Sequence, residues 1–165
     1  MIQSTDRKRL EVQAGALQAL ISSNGIGTLH IQTGVGKCKI TNDFIFHFAD
    51  IITSVLILVP LSRLIDTWHK ELDKWNDNYM FIDENTCKLG DDINVTIETI
   101  QTAYKWNNKK FTLIVFDEVH KMLTPEYHRI ISNTTSVFKI GLTARTNFSN
   151  GGRFKKRTTV NNIES

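Results

Sequence analysis

Two short segments of the 165-residue sequence contain residue types that could do phosphate chemistry. The first reads Thr33-Gly-Val-Gly-Lys37, in which small residues let backbone N–H groups close around phosphate oxygens. A helix that follows the loop would direct its positive N-terminal end at those oxygens, and Lys37 would neutralise the outer phosphates during binding and catalysis. The alternative is a tight turn with a solvated lysine. The residues predicted to bind a nucleotide here are Thr33, Gly34, Val35, Gly36, Lys37 and Cys38.

The second segment is a pair of adjacent acids, Asp117 and Glu118, that follows the apolar run Leu113–Phe116. Open parallel sheets bind ligands at the carboxyl ends of their strands. At such an edge both carboxylates could serve Mg²⁺, Asp117 through water, while Glu118 also orients and deprotonates an attacking water. A solvated turn is the alternative. His120, taken alone, is typical of a satisfied surface or half-buried histidine.

The hydrophobic pattern predicts the elements that must position these residues. Leucines at helical spacing between residues 10 and 21 predict a first helix. An apolar run at 54–59, ended by Pro60, is typical of a strand buried on both faces of a parallel sheet. Strands that alternate with helices predict an α/β fold, a doubly wound, mainly parallel sheet flanked by helices. Further helices are predicted at 37–49 and 62–75, further strands at 28–32, 79–82, 94–97, 112–116 and 138–142, and a surface loop at 83–92.

Length and composition limit the function classes. We assign residues 1–146 to one domain of ordinary size and residues 147–165 to a basic polar tail or truncated linker, which leaves no room for a second full domain. The net charge of +3 permits a nucleic-acid partner but does not require one. Cys38 and Cys87 have no metal-binding spacing, and the N-terminus carries no signal-peptide segment. We therefore expect a soluble cytoplasmic protein, in the host cytoplasm if viral, without a membrane partner.

Four segments taken in chain order resemble the motifs of superfamily two helicases. Gln13, the loop at 33–37, the Asp-Glu-Val-His box at 117–120 and Gly141-Leu-Thr-Ala144 match an upstream glutamine, a TGxGK[ST] loop, a DExH box and a [ST]A[ST] segment. The resemblance extends over about residues 9–145. It implies the first RecA-like domain of a helicase or translocase that uses ATP and Mg²⁺.

The resemblance also implies roles for single residues. Gln13, with Arg9 before it, would recognise adenine, because a side-chain amide can pair a donor and an acceptor on the base edge. His120 would join the catalytic box. Thr143 and Ala144 would couple hydrolysis to movement on nucleic acid.

Two further segments resemble the family segments that touch the nucleic-acid backbone. Residues 59–64, with Trp68 and Glu71, resemble its Pro-x-x-x-Leu segment, and Thr99-Ile-Gln-Thr102 resembles its TxQT segment. Such residues bind phosphates without reading sequence. The pattern resembles DNA-repair and restriction-type motors more than RNA-dependent ones, so DNA is the expected partner. The stripe of Leu64, Trp68 and Leu72 is more simply a core-facing helical stripe. The residues predicted to contact nucleic acid are Pro60, Leu61, Arg63, Thr99, Gln101 and Thr102.

The sequence departs from the family pattern in three respects. Cys38 stands where Ser or Thr normally ligates Mg²⁺, and a neutral thiol is a poor ligand for that hard cation. Arg145 replaces the last Ser or Thr of the coupling segment. In superfamily two motors a second RecA-like domain supplies arginine fingers, so we expect this polypeptide to be weak or inactive alone and to need a second RecA-like domain or a separate chain.

Two other functions remain open at this point. A non-catalytic regulatory module that binds nucleic acid or a helicase would agree with Cys38 and Arg145. A small nucleoside or metabolite kinase would agree with the length and the phosphate loop. The kinase explains neither Gln13 nor the box at 117–120, whereas the helicase-type domain explains both.

Overall fold

A computed structural model of the chain describes residues 4–31, 36–119, 124–143 and 157–159. Within these residues, no helix is long and apolar enough to cross a membrane. The helices are α1 (Ser4–Ser22), α2 (Lys37–His47), α3 (Arg63–Trp75), α4 (Ile100–Ala103) and α5 (Pro125–Asn133). The strands are β1 (Ile26–His30), β2 (Ser54–Val59), β3 (Tyr79–Asp83), β4 (Thr86–Leu89), β5 (Ile93–Thr99), β6 (Lys109–Lys110), β7 (Leu113–Phe116), β8 (Thr134–Thr135), β9 (Phe138–Thr143) and β10 (Arg157–Thr159).

Eight of these strands form one sheet in the order β10-β1-β9-β7-β2-β5-β4-β3. The pairs from β10 through to β5 are parallel, whereas β4 pairs antiparallel with both β5 and β3. The prediction of a doubly wound, mainly parallel α/β sheet is confirmed. Because β1, β9, β7, β2 and β5 all run in the same direction, their carboxyl ends meet at one edge of the sheet, called here the carboxyl edge.

The central strands are buried on both faces, as the apolar run at 54–59 predicted. In β2, Val55, Ile57 and Val59 face the larger core, which is closed by α1, α2 and α3, while Leu56 and Leu58 face a second core closed by α4 and α5. Burial of side chains of this size contributes roughly 1.5–3 kcal/mol each. The central strands therefore provide a rigid support for the residues at their carboxyl ends.

One sequence prediction is wrong, namely the surface loop at 83–92. Four of those residues form β4, which pairs with β3 and β5 and so makes a three-stranded antiparallel extension of the sheet. Cys87 and Leu89 are buried, and they alternate with the less buried Thr86 and Lys88. The strand is short and acidic or glycine-containing turns flank it, so its alternation was too brief to outweigh the polar composition.

The other predicted elements are confirmed within a few residues. Strand β2 has the predicted bounds, α3 begins one residue later than predicted, and α2 ends at His47 rather than at residue 49. Three residues of the segment predicted as a tail, 157–159, form β10 beside β1. Helix α5 was not predicted; Thr124 caps it by accepting a hydrogen bond from the Tyr127 amide, and Pro125 occupies its first turn.

Candidate active site

The carboxyl edge brings most of the predicted site residues to one side of the sheet. The phosphate loop follows β1, the acidic pair follows β7, and Thr143 ends β9, which lies between them. Thr143 is buried, and its carbonyl accepts a hydrogen bond from the Ile31 amide at 2.9 Å, immediately before the loop. The predicted residues Thr33, Gly34, Val35, His120 and Ala144 lie outside the described residues.

The best-defined contact of the site joins the two predicted motifs. The Lys37 ammonium lies 3.2 Å from Oδ1 of Asp117, although 80 positions separate the two residues in sequence. The Asp117 amide donates to the Leu58 carbonyl at 2.9 Å, which fixes the backbone at the end of β7. The lysine that follows the loop and the first acid of the box are therefore in contact at the carboxyl edge.

Asp117 has a second side-chain partner that the sequence analysis missed. The indole N–H of Trp68 donates to Oδ2 of Asp117 at 2.9 Å. Trp68 was predicted to belong to a core-facing stripe, and this is confirmed, because Trp68 and Leu72 are buried and Leu64 packs against the same core. The sequence could have predicted that Trp68 has a hydrogen-bond acceptor, because a buried indole N–H usually has one.

Gly36 and Gln13 meet at the base of the phosphate loop. Gly36 has φ of 93°, a left-handed conformation that favours glycine, and it precedes the first residue of α2. A Cβ placed on Gly36 would lie only 2.8 Å from the side-chain nitrogen of Gln13. Gln13 is buried on α1, whereas Arg9, one turn earlier, is exposed. Gln13 therefore lies next to Gly36, the described residue at the end of the loop, whereas Arg9 is exposed.

Cys38 is a neutral thiol in this environment. Burial first, and then the negative charges of Asp117 and Glu71, raise the pKa of Cys38 to about 12 against the opposing effect of Lys37. The thiol is half-buried against the larger core. Since Mg²⁺ prefers oxygen ligands, Cys38 does not fit the role of a metal ligand.

The backbone turns sharply at the acidic pair. Glu118 has φ of 50°, which is uncommon for a residue with a side chain, and it is half-buried between the buried residues Asp117 and Val119. Non-glycine residues in this conformation often occur at functional sites. The turn places consecutive side chains of the box in different environments at the end of β7.

The residues predicted to contact nucleic acid lie farther along the same edge. Val59 and Thr99 are register partners at the ends of β2 and β5, so the segments that follow the two strands are neighbours. Leu61 and Arg63 are exposed and Pro60 is half-buried. Of the second segment, Gln101 and Thr102 are exposed, whereas Thr99 is buried with its hydroxyl 3.4 Å from that of Thr102.

Comparison with known proteins identifies the family. Residues 7–148 match the family described as the type III restriction enzyme, res subunit. The chain belongs to this family. The DNA 3'-5' translocase XPB2 of Sulfurisphaera tokodaii is 28% identical over 139 residues, which cover 81% of this chain and 30% of that protein. The chain thus spans less than a third of this curated relative.

Solved structures share the fold of the chain. The UvsW helicase of bacteriophage T4 matches with a TM-score of 0.65 at 20% sequence identity. The match covers 90% of this chain and 58% of the UvsW chain. The SWI2/SNF2 ATPase core of Sulfolobus solfataricus, solved in complex with dsDNA, matches with a TM-score of 0.62 at 21% sequence identity. The match covers 83% of this chain and 31% of the Sulfolobus chain. The resemblance to the first RecA-like domain of superfamily two helicases and translocases is confirmed.

The residues present can be compared with what the ATP and Mg²⁺ implied by the helicase family would need. Lys37 supplies a positive charge that suits phosphates, and Asp117 supplies a carboxylate that suits Mg²⁺, since this ion binds through one or two carboxylates and otherwise through phosphate and water oxygens. The described residues contain no cluster of three or more His, Cys, Asp or Glu, which a cage made only of protein ligands would need. Asp117 fits a Mg²⁺ ion carried by a nucleotide, whereas the neutral thiol of Cys38 does not.

Proposed function

We propose that this helicase-family domain binds ATP with Mg²⁺ at the carboxyl edge and contributes to ATP-driven movement along DNA. The observation that carries the proposal is the 3.2 Å contact between Lys37 and Asp117. Lys37 begins the helix that follows β1 and Asp117 directly follows β7, and phosphoryl-transfer sites of this architecture use a lysine and a carboxylate placed in this way.

Each residue of the proposed nucleotide site has a role. Lys37 would turn from Asp117 to the outer phosphates, to which the N-terminal end of α2 also points. Asp117 would hold Mg²⁺, which when bound offsets the phosphate charge. Glu118 would orient a water molecule and accept its proton. Gln13, next to Gly36, would contact the adenine edge, with Arg9 on the same face of α1.

A binding experiment tests the nucleotide part of the proposal. A labelled, non-hydrolysable ATP analogue is titrated with Mg²⁺ into the wild-type chain and into Lys37→Ala and Lys39→Ala. Lys39 is the matched control, because it lies on the same helix but pairs with Asp43 at 2.6 Å. Loss of a charge-assisted contact to phosphate should weaken binding by Lys37→Ala at least about tenfold. Equal binding by all three proteins would refute the proposal.

We place the DNA contacts at Pro60, Leu61 and Arg63 after β2 and at Thr99, Gln101 and Thr102 after β5. Support comes from the exposure of Arg63 at the start of α3 and from the dsDNA named for the Sulfolobus relative. If Arg63 neutralises one phosphate, Arg63→Ala should weaken duplex binding and reduce the slope of log affinity against log salt by about one. Lys70→Ala is the control, since Lys70 lies on the same helix and pairs with Asp66 at 2.9 Å. Equal slopes for the two variants would place the DNA elsewhere.

Hydrolysis by these 165 residues alone should be slow. The neutral Cys38 thiol replaces the hydroxyl that would help to hold Mg²⁺, and in the helicase family an arginine from a second RecA-like domain stabilises the transition state. A second domain or partner chain would therefore raise the rate. Steady-state ATPase measurements with and without such a partner test this, and fast hydrolysis by the chain alone would contradict it.

Cys38 also favours a second candidate function, a non-catalytic module that binds DNA or a helicase and regulates it. A site that binds nucleotide without placing Mg²⁺ correctly would respond to ATP without consuming it. The two functions separate in an ATPase assay that includes duplex DNA and a partner from the protein's source. Turnover under any of these conditions excludes the regulatory module, and binding without turnover excludes the motor.

A further inference from the structure

The carboxylate of Asp117 has one releasable partner and one fixed partner. The side chain of Lys37, which contacts Oδ1 at 3.2 Å, is 25% exposed and can move toward solvent or phosphate. The indole of Trp68, which donates to Oδ2 at 2.9 Å, is 1% exposed and packed in the larger core. The two oxygens of one carboxylate are therefore held in different ways.

Helix α3 determines where the fixed partner lies. Trp68 shares the inner face of α3 with Leu72, which is fully buried, and with Leu64, which packs on the same core. The indole cannot change its position unless α3 moves or the core repacks. A buried N–H that donates to a charged oxygen is also one of the stronger hydrogen bonds in proteins.

We infer that Trp68 is a positioning residue that orients Asp117 for Mg²⁺. When Lys37 turns to the phosphates, Oδ1 loses its cation, while Trp68 retains Oδ2 and keeps the carboxylate pointing toward the nucleotide. Without the indole N–H, the freed carboxylate would rotate and Oδ1 would have no fixed direction. The inference rests on the proposed nucleotide binding and adds to that site a residue that the sequence analysis assigned to the core-facing stripe of α3 and not to the nucleotide.

The first test compares two tryptophans of the same helix. Trp68→Phe keeps an aromatic ring in the core and removes the N–H, and Trp75→Phe makes the same chemical change where the N–H donates to Glu71 at 3.2 Å. Affinity for a non-hydrolysable ATP analogue is measured in Mg²⁺ and in EDTA, and thermal melting checks that the variants are folded.

Trp68→Phe should lose about tenfold of the gain in affinity that Mg²⁺ provides, while its affinity in EDTA stays within about twofold of wild type. Trp75→Phe should keep the full gain. A purely structural role of Trp68 would change both affinities together, and an unchanged Mg²⁺ gain in Trp68→Phe would overturn the inference. Absence of analogue binding by the wild-type chain would instead refute the proposed function, so the two failures are distinguishable.

A second measurement does not require Trp68→Phe to fold. The sequence contains three tryptophans, so the double variant Trp75→Phe/Trp106→Phe leaves Trp68 as the single emitter. Its emission should shift when the analogue is added with Mg²⁺, should not shift in EDTA, and should lose the shift when Asp117→Asn is added. If the variant binds the analogue but its Trp68 emission is the same with Mg²⁺ and in EDTA, the inference is overturned.

Discussion

Large apolar side chains are buried in the parallel strands but exposed in strand β3 of the antiparallel hairpin β3–β4. In β2, the residues Val55 to Val59 are fully buried, whereas in β3 the large apolar side chains of Met80, Phe81 and Ile82 are each more than half exposed. The predicted motif residues at the sheet ends follow the parallel strands, and none lies in the hairpin. Strands that are buried on both faces can hold charged groups in fixed positions at their ends, which a half-exposed edge hairpin cannot do as rigidly.

The largest expected contrast concerns the same substitution in the two regions. Ile57→Ala, in the middle of β2, should lower the free energy of unfolding by roughly 2–5 kcal/mol, because it leaves a cavity between buried strands. Ile82→Ala, on the exposed edge strand, should change it by less than about 0.5 kcal/mol. Urea unfolding of both variants gives the two values. Similar losses would mean that the hairpin is as well packed as the parallel core.

This contrast also explains which parts of the fold could be predicted from the sequence. The run at 54–59 is continuous, apolar and ended by Pro60, so its bounds and its burial on both faces of a parallel sheet could be predicted. The strand β4 has only two buried residues, Cys87 and Leu89, and its neighbouring turns are acidic, so local pattern favoured a loop. Its pairing with β3 and β5 depends on contacts between segments that the local pattern does not record.

The parts of the candidate site that consist of chemically active residues at a fixed sequence spacing could be predicted. The phosphate loop and the acidic pair could be found from residue type and from the strands before them, and the structure places Lys37 and Asp117 in contact. The hydrogen bond from Trp68 to Asp117 could not be located in advance, because a tryptophan in a helical stripe indicates burial but does not name its acceptor.

Two glycines with positive φ allow the candidate site and the hairpin to be compared by the same substitution. Gly36 has φ of 93° and Gly90, in the turn after β4, has φ of 66°. Alanine at either position should cost roughly 1–2 kcal/mol of stability from backbone strain. A Cβ on Gly36 would also displace the Gln13 amide, while a Cβ on Gly90 would meet nothing within 4 Å.

Gly36→Ala should therefore weaken binding of an ATP analogue by about tenfold, the equivalent of one charge-assisted contact, and Gly90→Ala should leave it unchanged. Equilibrium titration of both variants gives the affinities. Equal affinities would mean that Gln13 and the loop conformation do not contribute to the nucleotide site.

The two cysteines provide a comparison of smaller effect. Cys38→Ser would restore a hydroxyl beside the phosphate loop, and we expect a several-fold rise in any measurable ATPase rate, because an oxygen ligand suits Mg²⁺ better than a neutral thiol. Cys87→Ser, in the hairpin, should leave the rate unchanged and lower stability by roughly 1–3 kcal/mol, because a buried hydroxyl must find a partner. No change in rate for Cys38→Ser would show that the thiol is not limiting.

The same two thiols should also make the stability of the protein depend on pH. Burial raises the pKa of both from 9.0 to about 12, with the charges of Asp117 and Glu71 contributing only at Cys38. Because the folded-state pKa lies above the unfolded value, both thiols contribute stability that is complete below pH 9 and declines as the pH rises toward 12. Urea unfolding between pH 8 and 11 should show this decline, and it should be shallower in Cys38→Ser. Equal slopes would contradict the assigned pKa of Cys38.

Amide hydrogen exchange tests most directly whether ATP binds at the carboxyl edge of the parallel strands and not at the hairpin. Exchange is compared with and without a non-hydrolysable ATP analogue and Mg²⁺. We predict slower exchange in residues 36–41, at the start of α2, and in residues 116–119, at the acidic pair, with no change in residues 79–92 of the hairpin. Protection confined to the hairpin, or no protection at the carboxyl edge under saturating analogue, would show that ATP does not bind there.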